Sequence, residues 1–285
     1  MAEANAPCRD PATLVIARLT FREASRRWVL WAALILGLIF LAVYGIGFYE
    51  IHKDVLLHSN RLQSTEIFNF LLMAGLYAVN FLTLIMAVLT SVDTLSGEIA
   101  SGTIHTIVSK PLRRWEVVMG KWLGYTGMLT LYLLLMAGGV MAIVYLISGY
   151  SAPNMLRGLA LLWLNVNIFL SVSLCGGTAL STLANGVLVF GLYGIAFIGG
   201  WIEQFGSFLN NQTAINIGII SSLLIPSEAL WKRMVHEMES PLVGAIGFTP
   251  FSSLSTPSLL MVAYAAVYCI VALVLAVRFF NRRDL

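Results

Sequence analysis

A chain of 285 residues that is 59% hydrophobic and only 11% charged cannot clothe one core in a water-facing surface, because soluble domains carry about a quarter charged residues. Its mean hydropathy of +0.85 describes a polytopic membrane protein. The net charge of +3 says little as a total and must be read by its distribution, and an odd count of three cysteines without metal spacing argues against a disulfide framework.

The first 27 residues are polar and basic. Arg18, Arg22 and Arg26 recur every four residues, while Leu14, Ala17, Phe21 and Ala24 share another face. That periodicity predicts a helix lying in the headgroup layer, its arginines toward anionic membrane lipid. The simpler reading is a basic flank that only fixes orientation. Six apolar segments follow that can serve as crossings, which need roughly 20 residues each: 28–49, 67–92, 122–147, 156–183, 187–202 and 259–280. The fourth and fifth form one long run, divided here at Ala184-Asn185-Gly186. The first is too long and bulky for a cleavable signal peptide and has no small-residue cleavage site.

With both termini inside, twelve of the seventeen Lys and Arg residues fall on the inner side. Such asymmetry sets orientation. The expected fold is therefore all-α, a polytopic integral membrane protein with six transmembrane helices and both termini cytoplasmic.

On the outer side the sequence predicts a short polar loop, Glu50 to Glu66, and a larger segment, 203–258. The latter holds two apolar helical stretches, 215–225 and 229–238, separated by Pro226, and reads as a helical subdomain against the outer face. Ser227 is a candidate cap for its second helix. Asn211-Gln212-Thr213 fits a glycosylation sequon, a pattern that also arises by chance. No phosphate-binding loop of the GxxxxGK[ST] form occurs, so an ATP-driven version of this protein needs its ATPase on another chain.

The inner loop, 93–121, is the most informative stretch. Ile104, Ile107, Val108, Leu112, Trp115, Val118, Met119 and Trp122 follow one another at helical spacing, with Lys110, Arg113, Arg114 and Lys121 on the remaining surface. Pro111 suits a helix start, so a break near Ser109-Lys110-Pro111 should give two short helices. The periodicity alone describes a surface helix anchoring the third span.

A resemblance adds to this. Glu98-Ile99-Ala100-Ser101-Gly102-Thr103, then Lys110-Pro111-Leu112-Arg113-Arg114, then Gly120-Lys121 resembles the E…GT…P…R…GK loop of ABC type-2 permeases. The C-terminal Phe280-Asn281-Arg282-Arg283-Asp284-Leu285 and the outer Ile225-Pro226-Ser227-Glu228-Ala229-Leu230-Trp231 are similar to segments of the same family, in particular of the multicopper-enzyme (nitrous-oxide-reductase) maturation permeases. The resemblance implies one permease domain over 1–285, in a bacterial or archaeal plasma membrane. It implies an exporter whose partners are an ATP-binding cassette ATPase subunit and a second permease, either a copy of itself or a paralogue. ATP and magnesium would sit on the partner, with no cofactor in this chain and no enzyme activity of its own. The loop would contain a cytoplasmic coupling helix with Glu98, Gly102, Thr103, Pro111, Arg113, Arg114 and Lys121 as coupling residues. Glu98 is expected to pair with Arg113, Arg114 or Lys121.

The spans themselves hold almost no ionisable side chain, which disfavours an ion-driven carrier. Asn69, Asn80, Thr83, Asn165, Asn167, Ser171 and Ser173 are expected to hydrogen-bond between helices. Gly120, Gly124 and Cys175-Gly176-Gly177 allow close packing, including against a second subunit. The four histidines show no metal spacing and no catalytic cluster is visible, so no metal site or catalytic residue is expected. No nucleic-acid partner is expected either. A membrane scaffold or assembly factor remains the main rival to transport, and a polytopic membrane enzyme the lesser one.

Overall fold

The computed structural model of the chain describes residues 11–58, 61–100, 113–239 and 257–282. Nine helices and no strand occur among the described residues. In chain order they are α1 (Ala12–Ala24), α2 (Trp28–His58), α3 (Arg61–Ala100), α4 (Arg114–Ser148), α5 (Met155–Ala179), α6 (Thr182–Phe208), α7 (Gln212–Leu224), α8 (Ser227–Met238) and α9 (Leu259–Arg282). Six of them, α2 to α6 and α9, are long and apolar enough to cross a membrane. The protein is an all-α, polytopic membrane protein.

The helices outrun the apolar segments that mark them. Residues 50–58 and 61–66, expected as an outer loop, are helical, as are 93–100 and 114–121 on the inner side. No Gly or Pro falls between Glu50 and Glu66, so nothing in the backbone stops the helix where the side chains turn polar. Hydropathy records where the bilayer ends, and a helix ends only where its hydrogen bonding is interrupted. At α4 the interruption is Gly149, at φ +69°, whose N–H closes on the Tyr145 carbonyl at 2.9 Å.

The break between the fourth and fifth crossings lies at Leu180-Ser181, not at Ala184-Asn185-Gly186. Ser181 is extended and caps α6, and Asn185 is one turn inside that helix. Asn185 is fully buried and donates to the Ser173 and Val92 carbonyls at 2.9 and 3.3 Å. A side chain that looked like a helix breaker therefore locks α6 to α5 and α3.

The interior is built on α3 and α5, the most buried of the spans. Polar side chains between them and their neighbours join helices as expected. Asn165 donates to Asn80 at 3.1 Å, Ser91 to Ser173 at 2.8 Å, Thr126 to Asn167 at 2.7 Å, and Tyr150 to Asn69 at 3.1 Å. Thr83 instead turns back to the Val79 carbonyl of its own helix. Such bonds contribute more to uniqueness of packing than to net stability, at about 1 kcal/mol each.

Helix α1 packs along α4. A methyl group on Gly120 would lie 2.7 Å from Ile16, and one on Gly124 would lie 2.7 Å from the Ala17 carbonyl. These two glycines therefore receive this chain's own N-terminal helix, where the sequence allowed a second subunit. Arg18 and Arg22 are exposed on α1 and Arg26 in the turn beyond its end. The apolar face is divided: Ala24 is buried, whereas Leu14 and Phe21 look outward.

On the outer side α7 and α8 form a hairpin bent by 104°. Helices of 13 and 12 residues rise about 20 Å, well short of the ~30 Å hydrocarbon layer. Asn211 caps α7, its Oδ1 accepting from the N–H groups of Thr213 and Ala214 at 3.1 and 3.3 Å. The sequon match thus has a structural explanation. Pro226, not Ser227, holds the N-cap position of α8, and Ser227 is its first helical residue.

Candidate functional site

The inner end of the bundle is organised around the last three turns of α3 and the first three of α4, the two helices between which residues 101–112 run. Lys121 is 4% exposed, and a charged ammonium so enclosed requires a partner. It pairs with Glu98 of α3 and donates a second bond to the Thr94 carbonyl at 3.4 Å. Of the three cations available to Glu98, the structure selects Lys121. One turn deeper, the Thr94 hydroxyl donates to the buried Tyr125 hydroxyl of α4 at 2.7 Å.

The opposite face of α3 is fastened to the start of α6. Ser96 and Thr182 hydroxyls lie 2.8 Å apart, and Thr182 donates to Asp93 at 3.3 Å. Together with Asn185 on the Val92 carbonyl, this leaves the inner end of α3 held on both sides. The inner end of α3 is thus fastened to α4 on one side and to α6 on the other.

The other candidates separate. Arg114, at the first position of α4, donates to the Phe280 and Asn281 carbonyls at 3.0 and 3.2 Å. It thereby satisfies orphan carbonyls at the end of α9, where a cation also opposes the helix dipole. Around it, Val117, Val118, Ala276 and Phe280 form a small buried cluster. Arg113 is exposed at the head of α4, its backbone N–H donating to the Glu116 carboxylate at 2.9 Å. Gly102, Thr103, Pro111 and the expected break at 109–111 lie outside the described residues, as does the first half of the amphipathic stretch, 104–112. Its last turns, 114–121, belong to α4 rather than to a separate helix.

Residues that sequence reasoning passed over include Asp93, Thr94, Tyr125, Thr182 and Asn185 at the inner end, and Glu203, Glu228 and Lys232 on the outer side. Asn185 alone carried a visible signal, as a lone amide in an apolar run. Among the described residues no three His, Cys, Asp or Glu side chains converge on a metal-binding geometry. Cys175 and Cys269 are free thiols.

Helix α1, the end of α9, the Glu98–Lys121 pair and the α5–α6 turn thus gather at one end of a six-span bundle, while a bent hairpin covers the other. No curated protein gives a significant match to the chain. A family model described as ABC-2 family transporter protein matches residues 14–285, nearly the whole length, and the chain belongs to that family as the membrane permease subunit of an ABC transporter.

Proposed function

We propose that this chain is the permease half of an ATP-driven exporter, moved by a separate ATPase that docks on the segment between α3 and α4. The observation that carries the reading is the buried Glu98–Lys121 pair, which joins the two helices flanking that segment. A docking loop whose stems could slide independently would dissipate an applied force. Stems tied by a buried ion pair, and tied again to α6 through Thr182, move as one lever.

In this reading Gly102, Thr103, Pro111 and Arg113 belong to the docking segment, with Glu98 and Lys121 as its tie and Arg114 as the link to α9. ATP and magnesium act on the partner subunit. A second permease, identical or paralogous, completes the pathway in a bacterial or archaeal plasma membrane, and Arg18, Arg22 and Arg26 rest on anionic lipid. The likeness to maturation permeases, carried by 225–231 and 280–285, suggests assembly of a metalloenzyme as the setting.

The test is co-purification from native membranes in mild detergent. A stoichiometric P-loop ATPase should come with the chain and be lost when 98–121 is replaced by a neutral linker of equal length. Glu98→Ala and Arg113→Glu should keep the chain in the membrane while abolishing transport-linked ATP hydrolysis. Full coupled hydrolysis in both would refute the lever. A well-folded chain that comes down with no ATPase favours the membrane scaffold or assembly factor.

A further inference from the structure

The outer hairpin buries charge for which the lever has no use. Glu203, near the end of α6, and Lys232 of α8 form an ion pair of 2.8 Å, with side chains 9% and 8% exposed. Glu228 lies one turn before Lys232 on α8 and is buried as well. It sits against Gly200, one turn before Glu203 on α6: a methyl group there would lie 2.8 Å from Glu228 Cγ and 2.9 Å from Oε2. Facing turns of two helices thus enclose two carboxylates beside one ammonium. One ammonium cannot balance two buried carboxylates, so the cheaper state has one of them neutral.

The groups that bear on Glu228 come from three helices. They are Lys232 on its own helix, Glu203 and the Tyr193 phenol on α6, and the Tyr77 phenol on α3. The next cation along α8, Arg233, is engaged by Glu237 at 2.5 Å. Burial raises the Glu228 carboxyl to about 7, the pull of Lys232 opposing and the charge of Glu203 assisting. A cavity of about 360 Å³ opens beside the cluster, lined by Glu203, Lys232, Ser222, Ile219 and Met261 among others. Glu228 is not in that lining.

We propose that Glu228 is a proton-binding site that fastens the outer hairpin to α6, neutral while the hairpin is docked and ionised when it lifts. On lifting, the carboxyl O–H bond breaks, the proton passes to water at the outer face, and the electron pair stays on the carboxylate. No other reactant is required. The docked state holds the proton more tightly than the hydrated one. Docking is therefore favoured at acid pH and loses ground as pH climbs from the ordinary glutamate range through about 7. The shift in the docking equilibrium is on the order of a hundredfold. None of this depends on the ATPase-driven reading, because every readout below is taken on the permease chain alone.

The experiment uses the full chain in lipid nanodiscs, its native cysteines replaced by alanine. Nitroxide labels go on two outward-facing positions, Ile220 of α7 and Leu156 of α5. Distance distributions are recorded between about pH 5 and pH 9. The wild type should pass from one docked distance to a longer, broader distribution with a midpoint near neutrality, and Glu228→Gln should stay docked throughout. In infrared difference spectra the protonated-carboxyl band should vanish with the same midpoint and be missing from Glu228→Gln. A wild-type distribution that ignores pH overturns the proposal, and so does an unchanged pH response in Glu228→Gln. The wild-type titration decides the matter even where that variant fails to insert.

Discussion

Two buried lysine–glutamate pairs stand at opposite ends of this bundle, and they differ in stoichiometry. At the inner end Lys121 meets the carboxylate of Glu98 and joins the two long helices that flank residues 101–112. At the outer end Lys232 meets Glu203 with Glu228 close behind, on a hairpin of two short helices bent by 104°. A one-to-one pair is balanced in charge, and parting it leaves an enclosed ammonium without its counter-ion. A two-to-one cluster carries an unbalanced carboxylate and can exchange a proton. The same side chains thus make a rigid coupling at one end and a releasable one at the other.

The largest effect should come from breaking the fixed tie. Lys121→Met leaves Glu98 beside an apolar side chain, and removing one member of a buried pair costs about 3–5 kcal/mol. The expected result is a large loss of thermal stability in detergent, with much of it restored in the double variant Glu98→Gln/Lys121→Met. A double-mutant cycle reads this directly. Additive losses would mean that the two side chains do not act as a pair.

Next in size is the pH response at the outer end. Glu228 is raised in the folded protein from 4.5 to about 7. A carboxyl raised by folding supports the folded state most fully below its unfolded value and loses that support as pH rises through the folded value. Over that window the wild type should lose on the order of 3 kcal/mol relative to Glu228→Gln. Melting temperatures of both proteins across the same pH series check it. A parallel decline in the two would assign the loss to some other group.

How much of this could be read from the sequence follows from what each signal records. Apolar runs reveal the crossings because the bilayer demands them, and all six were legible. Helix ends were not, because residues 50–66 and 93–100 are polar yet hold no proline, and Gly97, the one glycine among them, does not stop the backbone. Glu98 was legible as a residue in need of a cation, but not its partner. Lys121 and Arg114 are seven residues apart, about two turns along nearly the same face of α4, so the level at which α3 passes α4, which no side-chain pattern records, decides which of them meets Glu98. Gly120 and Gly124 announced a close neighbour without saying that α1 of the same chain would fill the place. The outer cluster was illegible for a similar reason. Glu203 and Lys232 are 29 positions apart and meet only because Pro226 and the turn at 209–211 fold the hairpin back onto α6.

Arg114 tests whether the inner end is tied at a second point. Arg114→Ala removes two charge-assisted bonds to the Phe280 and Asn281 carbonyls. It should cost about 1–2 kcal/mol, and amide exchange at 279–282 should rise severalfold while α3 is unchanged. Faster exchange spread over α3 as well would mean that Arg114 supports the whole inner end and not the terminus of α9 alone.

The smallest effect belongs to Arg157, and it sharpens the comparison by what it leaves unmoved. Arg157 reaches Glu237 at 3.4 Å from the surface, its side chain 73% exposed, across the loop end of α5 and the last turn of α8. Burial alone would raise the Glu237 carboxyl, yet the bonds from Arg233 and Arg157 hold it below its ordinary value. With Arg157 removed, Arg233 still engages the same carboxylate at 2.5 Å. Water and salt screen an exposed pair far more than one whose ammonium is enclosed, so Arg157→Ala should change stability by less than about 1 kcal/mol. Its modest effect should fade further in high salt, whereas the loss from Lys121→Met should persist there. Equal salt sensitivity in the two variants would mean that water reaches Lys121, and the inner pair would then lose its standing as a rigid tie.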